Sequence, residues 1–322
     1  MKISIAMATY NGAAYILEQL KSFSDQTLLP DELIITDDCS TDKTEDIVRS
    51  FARTAPFEVV FHRNEKNLSY CGNFNMALMK TTGDLVFLSD QDDVWFPEKI
   101  ETMVRLADKN PEMLVLMNDT ELTDGELNSV GLTKLGQIRS AGLTLNSYVM
   151  GCCCAVRREL LDICMPIPEG FRAHDNWIVA FAQAFNAKLV DTTVLQYYRR
   201  HESNESQFIA NRTVKVNRYD VFIERVKKVF DGNIKGQDEI VIKQRQIFLD
   251  GLVRAIELGG EKKGPLVTMH DIKSRELDVF RQRRKIRGRA FLPRLFYALI
   301  FLLGGGYRDA SGVKSFVRDL LG

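Results

Sequence analysis

The sequence predicts an α/β protein: a parallel sheet covered by helices, followed by a helical C-terminal region. Three observations lead to this prediction. Over roughly the first 200 residues, short aliphatic and β-branched runs alternate with stretches of helical periodicity. Acidic or polar clusters directly follow several of those runs, and beyond residue 211 only helical spacing continues.

The predicted strands and helices alternate along the N-terminal part. Strands are expected at 3–7, 32–36, 58–61 and 85–88, with helices at 14–22, 42–52, 73–80 and from 97 to about 109. A strand at 113–117, helices at 156–161 and 175–185 and an extended segment at 189–198 follow. Because parallel strands need long crossover connections, this alternation favours a parallel sheet.

Two later regions depart from this alternation. The segment 120–148 is rich in Gly, Ser, Thr and Asn, and it is too long and polar for a simple connection, so we interpret it as a binding insertion. In the region 211–322, apolar residues such as Ile240, Ile247 and Leu252 recur at helical spacing. The chain is therefore divided into a domain at 1–210 and a helical region at 211–322.

The composition narrows the class of protein. Lys plus Arg and Asp plus Glu are equal at 43 each, so the net charge gives no reason to expect a nucleic-acid partner. The six cysteines show no zinc-site spacing, and the run 152–154 is a poor disulfide framework. With no signal-peptide pattern and no apolar run near the roughly 18 residues of a spanning helix, we expect a cytoplasmic protein.

A basic cluster lies near the C-terminus. It contains no acid, and its members are Arg281, Arg283, Arg284, Lys285, Arg287, Arg289 and Arg294. The apolar residues Phe291, Leu295, Phe296 and Leu299 are interleaved with it or follow it. This pattern predicts docking on the inner surface of the cytoplasmic membrane, or else packing of the same residues within a helical subdomain or in a dimer contact.

An acidic cluster follows the predicted strand at 85–88. Asp90, Asp92 and Asp93 lie within four residues, and such close carboxylates repel one another unless a cation neutralises them. Mg²⁺ and Mn²⁺ prefer oxygen ligands, and ligands of open α/β sheets bind at the carboxyl edge of the strands. The alternative is a solvated acidic turn before a helix N-terminus.

Two more polar clusters follow the first and second strands. Asp37 and Asp38 stand at the end of the second strand, where a carboxylate can accept from ribose hydroxyls or a base N–H. Ser40 or Asp42 is expected to cap the next helix. The stretch 8–12 (ATYNG) follows the first strand, and the ring of Tyr10 can lie on a nucleobase there.

Taken in order, these motifs resemble family 2 glycosyltransferases of the GT-A fold. The matching stretches are ATYNG, DDCSTD and SDQDDVW with its following Pro97. SDQDDVW, with the later HDNW and YRRH, is most similar to the bacterial rhamnosyltransferase and O-antigen or capsule branch. The resemblance covers roughly residues 1–205 and implies a Rossmann-like mixed, mainly parallel sheet flanked by helices, with a C-terminal helical appendage.

The resemblance also implies roles for the matching residues. The donor nucleotide is expected to contact Thr9, Tyr10, Asn11, Asp37, Asp38, Asp90 and Arg199. A Mn²⁺ or Mg²⁺ ion is expected on Asp92, with Asp90 and His201 as further ligands, and Asp93 supporting their loop. Asp175 of HDNW is expected to be the catalytic base, and the acceptor and sugar site to include Trp95, Trp177, His174 and Gly151.

Each assignment has a structural alternative. Asp175 could instead cap its helix, Trp177 could belong to the core, and His174 and His201 could be ordinary hydrogen-bonded histidines. The loop 67–74 lacks the basic residue that relatives often carry there, so no cationic diphosphate contact is expected from it. The run Cys152–Cys154 is interpreted as close packing beside the acceptor in preference to a thiol function.

The sequence thus predicts an inverting enzyme. It would move a hexose or deoxyhexose from UDP-hexose or dTDP-rhamnose to a hydroxyl of a polyprenyl-diphosphate-linked oligosaccharide in O-antigen or capsule biosynthesis. The alternatives are a sugar-nucleotide pyrophosphorylase or other nucleotidyltransferase, which lacks support because no Gly-rich basic loop follows the first strand, and a non-catalytic carbohydrate-binding protein. The sequence does not choose the donor, the acceptor, the linkage or the oligomeric state.

Overall fold

The computed structural model describes residues 1–202, 204, 208–230, 234–260, 263–308 and 312–321. The chain forms two compact units, the first of residues 1–167 and 172–223 and the second of residues 168–171 and 224–322. The boundary predicted between 210 and 211 falls inside the first unit. Parts of the helical region predicted at 211–322 lie outside the described residues.

A nine-stranded mixed sheet forms the centre of the first unit. Its strands are β1 (Ile3–Thr9), β2 (Glu32–Asp37), β3 (Glu58–Arg63), β4 (Leu85–Ser89), β5 (Val94–Trp95), β6 (Val115–Thr123), β7 (Ser129–Thr133), β8 (Cys154–Arg157) and β9 (Lys188–Arg199). The order is β3-β2-β1-β4-β8-β6-β9-β5, with β7 paired to β6. The strands β3, β2, β1 and β4 are parallel, and β8 runs antiparallel to β4 and β6.

Helices fill the connections between these strands. They are α1 (Ile16–Ser24), α2 (Thr44–Ala52), α3 (Ser69–Lys80), α4 (Lys99–Lys109), α5 (Lys134–Ser140), α6 (Arg158–Cys164) and α7 (His174–Ala184), and α8 (Arg218–Phe230) follows β9. Ile5, Leu33 and Phe87 of the three central parallel strands are fully buried in one apolar cluster. The predicted alternation is therefore confirmed over this region, because strands buried on both faces read as continuous apolar runs.

One local prediction is wrong. The helix expected at 156–161 begins only at Arg158, because the preceding residues form β8, in which Val156 pairs with Val86 of β4. A short apolar run fits a buried strand as well as a helix, and only pairing with a distant strand decides between them. The polar segment 120–148, predicted to be a binding insertion, holds the end of β6, all of β7 and α5.

The strand register brings three chain segments to one edge of the sheet. Thr9 at the end of β1 lies opposite Asp37 at the end of β2, and Met7 of β1 lies opposite Ser89 at the end of β4. The loops that carry the predicted site residues therefore leave the sheet side by side.

The second unit consists mainly of helices. Its elements are α9 (Ile234–Leu258), α10 (Lys263–Arg287), α11 (Phe291–Leu303) and α12 (Val313–Leu321). Asp319 is fully buried. Its carboxylate accepts hydrogen bonds from Nε and Nη2 of Arg283, at 2.7 and 2.9 Å, and from Nη1 of Arg287 at 2.9 Å. This network ties α10 to α12. Among the described helices, none combines the length and the apolarity that crossing a bilayer requires.

We expect Asp319→Ala to lower the free energy of unfolding by about 3–5 kcal/mol, because two guanidinium groups would lose their shared buried carboxylate. Urea unfolding followed by circular dichroism measures this change. The control is Asp278→Ala, which removes an exposed carboxylate 3.5 Å from Arg281 and should cost at most about 1 kcal/mol. Equal losses in the two variants would contradict the structural role of the network.

Candidate active site

The loops after β1 and β2 are held together by Asn11. Its backbone N–H donates to Ser40 Oγ at 2.8 Å, and its side-chain Oδ1 accepts from Thr41 N at 2.8 Å. The backbone of Asn11 is left-handed, with φ of 47°, a conformation that asparagine tolerates better than most residues. Asn11, predicted to contact the nucleotide, thus uses its amide oxygen to fix the relative position of two loops.

Asp37 lies inside the protein beneath these loops. The carboxylate is fully buried and accepts from Thr9 Oγ1 at 3.0 Å, from Ser40 N at 2.9 Å and from Arg63 Nη1 at 3.2 Å. With both oxygens engaged, the carboxylate of Asp37 and the hydroxyl of Thr9 hold the ends of β1 and β2 in place.

The neighbouring Asp38 keeps one oxygen available. Its Oδ1 accepts from Leu68 N at 2.7 Å and from Asn64 Nδ2 at 3.0 Å. In the part of the chain that the structure describes, no group donates a hydrogen bond to Asp38 Oδ2. Asp37 and Asp38, both predicted to bind the donor, therefore differ. The protein occupies both oxygens of Asp37, whereas Asp38 Oδ2 can accept a hydrogen bond from a ligand.

Gln91, which the sequence analysis did not assign, joins the acidic loop to the loop after β1. Its Oε1 accepts from Tyr10 N at 2.9 Å, and its Nε2 donates to Tyr10 O at 3.0 Å. A side chain at Gly12 would collide with it, because a Cβ there would lie 2.2 Å from Gln91 Oε1. The backbone of Tyr10 is thereby held while its side chain stays 50% exposed.

Asp92 and His201, two of the predicted metal ligands, are in contact. Asp92 Oδ2 lies 2.8 Å from His201 Nε2 and accepts from Asn204 Nδ2 at 3.0 Å. The His201 ring also packs on Tyr15, with centroids 4.7 Å apart. Asn204 was not assigned from the sequence, and its only signal was its closeness to the YRRH stretch.

The third predicted ligand, Asp90, belongs to a second group. Ligand atoms of Asp90, Asp93 and Cys152 all lie within 4.8 Å of one another. Burial, the charge of Asp92 and the charge of Asp175 raise the pKa of Asp90 to about 7. Burial raises the pKa of the Cys152 thiol well above its usual range, so the thiol donates its proton to these carboxylates and is a poor thiolate ligand.

The acidic group of Asp90 and Asp93 could hold a divalent cation. The negative charge of Asp92 repels that of Asp90 and helps to raise the pKa of Asp90. A bound cation would relieve this repulsion. His201 adds a nitrogen ligand next to Asp92. Oxygen-rich sites of this kind suit Mg²⁺ and Mn²⁺.

Arg199 supports the acidic loop from within. The side chain is buried, with Nε donating to Asp92 O at 2.9 Å, Nη1 donating to Gly125 O at 2.7 Å and Nη2 paired with Glu18. The backbone N–H of Arg199 also donates to Asp93 Oδ1 at 3.3 Å. The diphosphate contact predicted for Arg199 is not formed by this arrangement, in which every guanidinium nitrogen has a protein partner.

A buried lysine lies on the protein side of the same loop. Lys99 Nζ donates to Cys152 O at 2.9 Å and to Gln196 Oε1, and it lies 3.9 Å from the centre of the Trp95 ring. Gln196 Nε2 in turn donates to Asp93 Oδ2 at 3.0 Å. Lys99 thus donates hydrogen bonds beneath the acidic cluster, where burial lowers the pKa of its amine. No feature of the sequence indicated this position.

Asp175 lies in the first turn of α7, at the same end of the sheet. The N-cap of α7 is Ala173, without a side-chain capping bond, and Asp175 Oδ1 accepts only locally, from Asn176 N at 2.7 Å and from Asn176 Nδ2 at 3.3 Å. The structure therefore gives no support to the helix-cap alternative. The charge of Asp175 contributes to the raised pKa of Asp90, so the two carboxylates are close enough to interact.

His174 and Gly151 lie next to Asp175. The His174 ring is stacked on Phe74, with centroids 4.0 Å apart, and burial lowers its pKa, so it is neutral. A Cβ at Gly151 would lie 2.7 Å from His174 Nε2 and 3.6 Å from Asp175 Cβ. A glycine is therefore required here to leave His174 and Asp175 in position.

The two tryptophans predicted to wall the sugar site are buried. Trp95 is 2% exposed and packs on Phe23, and Trp177 is 1% exposed and donates from Nε1 to Cys164 O at 2.7 Å. Neither indole presents a face to solvent. Trp177 therefore belongs to the core, which was the alternative to a place in the sugar site. Trp95 contacts Lys99, which lies beneath the acidic loop.

This chain is similar in sequence to known proteins and to one family model. Residues 4–163 match the family described as "Glycosyl transferase family 2". An uncharacterized glycosyltransferase of Nostoc sp. is 29% identical over 66% of this chain and 69% of its own. The dTDP-rhamnosyl transferase RfbG of Shigella flexneri is 27% identical over 62% of this chain and 73% of its own.

Solved structures share the fold. S. aureus TarS in complex with UDP has a TM-score of 0.56 at 16% identity, covering 100% of this chain and 89% of its own. The mannosyltransferase PcManGT of Pyrobaculum calidifontis, in complex with GDP-Man and Mn²⁺, has a TM-score of 0.51 at 15% identity over 99% of this chain and 85% of its own. At these identities the likeness concerns the fold, and it confirms the predicted GT-A architecture.

We expect Lys99→Met to destabilise the protein, because Gln196 Oε1 and Cys152 O would each lose a buried donor, at about 1–3 kcal/mol per orphaned acceptor. Urea unfolding measures the loss. The control is Lys109→Met at the exposed end of the same helix, where only the interaction with the helix dipole, at most about 1 kcal/mol, is removed. A Lys99→Met protein as stable as this control would show that the buried ammonium is not needed.

Proposed function

Because this chain is a glycosyltransferase with a glycosyl transferase family 2 domain at residues 4–163, we propose that it transfers a hexose or deoxyhexose from a nucleotide diphosphate sugar to a sugar hydroxyl, with inversion. The proposal rests on three features found at one edge of the sheet. Asp38 has an oxygen that can accept from a ligand, Asp92 contacts His201, and the charge of Asp175 contributes to the raised pKa of Asp90. These features suit donor binding, metal binding and proton removal, respectively.

The nucleotide is proposed to lie over the ends of β1 and β2. The half-exposed ring of Tyr10 offers a stacking face, and Asp38 Oδ2 can accept from a base N–H or a ribose hydroxyl. Because Asp37 and Asn11 fix the loops rather than face the ligand, they act as positioning residues. UDP in TarS and dTDP in the name of RfbG support a pyrimidine nucleotide, although PcManGT binds GDP-Man.

Asp92, Asp90 and His201 are proposed to hold Mn²⁺ or Mg²⁺. When bound, such an ion neutralises charge that develops on a departing diphosphate. The protein's own contribution is to present Asp92 at a fixed point, since its backbone carbonyl accepts from Arg199 and its Oδ2 accepts from Asn204. The Mn²⁺ in the PcManGT complex supports this choice of metal.

Asp175 is the proposed general base. In a single in-line displacement, an acceptor hydroxyl attacks the anomeric carbon as it loses its proton to Asp175, and the bond to the diphosphate breaks. His174 cannot take this proton readily, because it is buried and neutral against Phe74. His174 and Gly151 instead hold the first turn of α7 in place.

The finer proposal is dTDP-rhamnose or a UDP-hexose as the donor and an oligosaccharide on a polyprenyl diphosphate as the acceptor, in O-antigen or capsule biosynthesis. The 27% identity to RfbG supports the rhamnose branch. Purified protein would be assayed against UDP-, dTDP- and GDP-sugars for release of nucleoside diphosphate. Release of pyrophosphate from a nucleoside triphosphate and a sugar phosphate, without sugar transfer, would favour a nucleotidyltransferase instead.

Asp92→Asn should abolish metal-dependent donor binding and lower kcat/KM by roughly 10²-fold or more, because it removes the charged ligand of the cation. Calorimetric titration with UDP or dTDP, in Mn²⁺ and in EDTA, measures this. Asp25→Asn, at an exposed position after α1, is the control. Wild-type protein that turns over fully in excess EDTA would rule out the metal mechanism.

Asp175→Asn should lower kcat by roughly 10²-fold or more and leave nucleotide affinity nearly unchanged, because it removes only basicity. Steady-state kinetics together with nucleotide titration separate the two effects. Asp162→Asn on the exposed side of α6 serves as the matched control. Near-normal kcat with reduced thermal stability would make Asp175 a structural residue and move the base to another carboxylate.

A further inference from the structure

We propose that helix α11 docks on an anionic lipid surface, lying along the membrane interface. Arg294 is the only charged residue of the helix. Its large apolar side chains are mostly exposed, namely Phe291, Leu292, Phe296, Tyr297, Leu299, Ile300 and Leu303. A helix that is apolar on all sides is normally buried in a protein core or in lipid, so this exposure calls for a partner.

The exposed residues form one continuous face. Leu292, Phe296, Leu299 and Leu303 follow one another at spacings of three and four residues, which places them on one side of a helix. Leu292 and Leu303 are 75% and 86% exposed, whereas Ala298 on the opposite side is fully buried. The helix has one side packed on its own unit and another, equally apolar side facing outward.

The length of the helix decides between spanning and lying on a bilayer. Its 13 residues extend about 20 Å at about 1.5 Å per residue, well short of a hydrocarbon core of about 30 Å. An apolar face of this length fits a helix that sinks one side into the boundary between headgroups and acyl chains.

The charges around α11 fit an anionic surface. From residue 279 to 308 the chain has no Asp or Glu, and its basic residues are Arg281, Arg283, Arg284, Lys285, Arg287, Arg289, Arg294 and Arg308. Four of these are paired with carboxylates inside the unit, namely Arg281, Arg283, Arg284 and Arg287. Within the described residues, no carboxylate pairs with Lys285, Arg289 or Arg294, so positive charge lies at the N-terminal end of the helix.

Arg289 is further suited to the headgroup region. Its guanidinium lies 3.7 Å from the centre of the Tyr297 ring, and both side chains are exposed. A stacked cation and an amphipathic ring belong at the level where lipid headgroups meet the apolar layer.

A second copy of this chain fits the same face less well. A second copy would offer this face an equally apolar surface but no negative charge near it, because the chain carries no Asp or Glu from residue 279 to 308. An anionic bilayer offers an apolar layer and negative charge together.

The full-length protein would be sedimented with vesicles of phosphatidylcholine alone and of phosphatidylcholine with phosphatidylglycerol. We expect it to pellet with the anionic vesicles at low salt and to be released as salt rises. Leu292→Glu combined with Leu303→Glu should reduce the bound fraction at least tenfold. The matched control, Leu258→Glu at a 52% exposed position of α9, should bind like wild type.

A second pair of variants tests the charges. Lys285→Ala combined with Arg289→Ala should weaken anionic-vesicle binding severalfold, whereas Lys243→Ala with Arg254→Ala, two exposed positions of α9, should not. Circular dichroism verifies that each variant folds. Wild-type protein that stays in the supernatant with anionic vesicles at low salt overturns the proposal. The proposal is also overturned if wild-type protein binds no vesicles and instead forms a dimer, seen by sedimentation velocity, that the two Leu→Glu substitutions dissociate.

Discussion

Repulsion among carboxylates crowded at the carboxyl edge of one strand is the constraint on which the candidate site depends. Asp90, Asp92 and Asp93 follow β4 directly, and burial together with their mutual charge raises the pKa of Asp90 and of Asp93. The protein compensates from the inside. Lys99 and Arg199 bind the loop and its neighbours from the buried side.

Positioning in this site relies on polar side chains that bond to backbone groups of other loops. Gln91 pairs with both backbone groups of Tyr10, Asn11 bridges to the loop after β2, and Arg199 donates to the carbonyls of Asp92 and Gly125. Loops at a sheet edge have little apolar surface to bury against one another. Hydrogen bonds with fixed direction therefore take over the role that packing has in the core.

Much of this could be predicted from the sequence. The parallel strands β1, β2 and β4 were predicted because strands covered on both faces leave unbroken apolar runs, and the acidic and polar clusters at their ends followed from chain order. The strand β8 was missed because the run around Val156 is apolar in either conformation, and its pairing with β4 depends on residues about 70 positions earlier.

The side-chain roles were harder to predict than the positions. Asp37 and Asp38 are adjacent and identical in type, yet the protein occupies both oxygens of Asp37 and only one of Asp38. This difference depends on Arg63 at the end of β3 and on Asn64 directly after it. The burial of Trp95 and Trp177 likewise follows from neighbours that are distant in sequence. Lys99 carries no sequence signal, because a lysine at the start of an amphipathic helix is normally exposed.

The pairing of Arg199 with Glu18 has a consequence for how the protein is made. The two residues are 181 positions apart, and Lys99 and Gln196 beneath the same loop are 97 apart. Contacts of such long range close late, and a chain leaving the ribosome forms its N-terminal strands first. The parallel half of the sheet can therefore assemble while the acidic loop is still unsupported. These contacts form only once translation has passed β9, so a nascent chain that already contains every strand-end motif of the first hundred residues still lacks them.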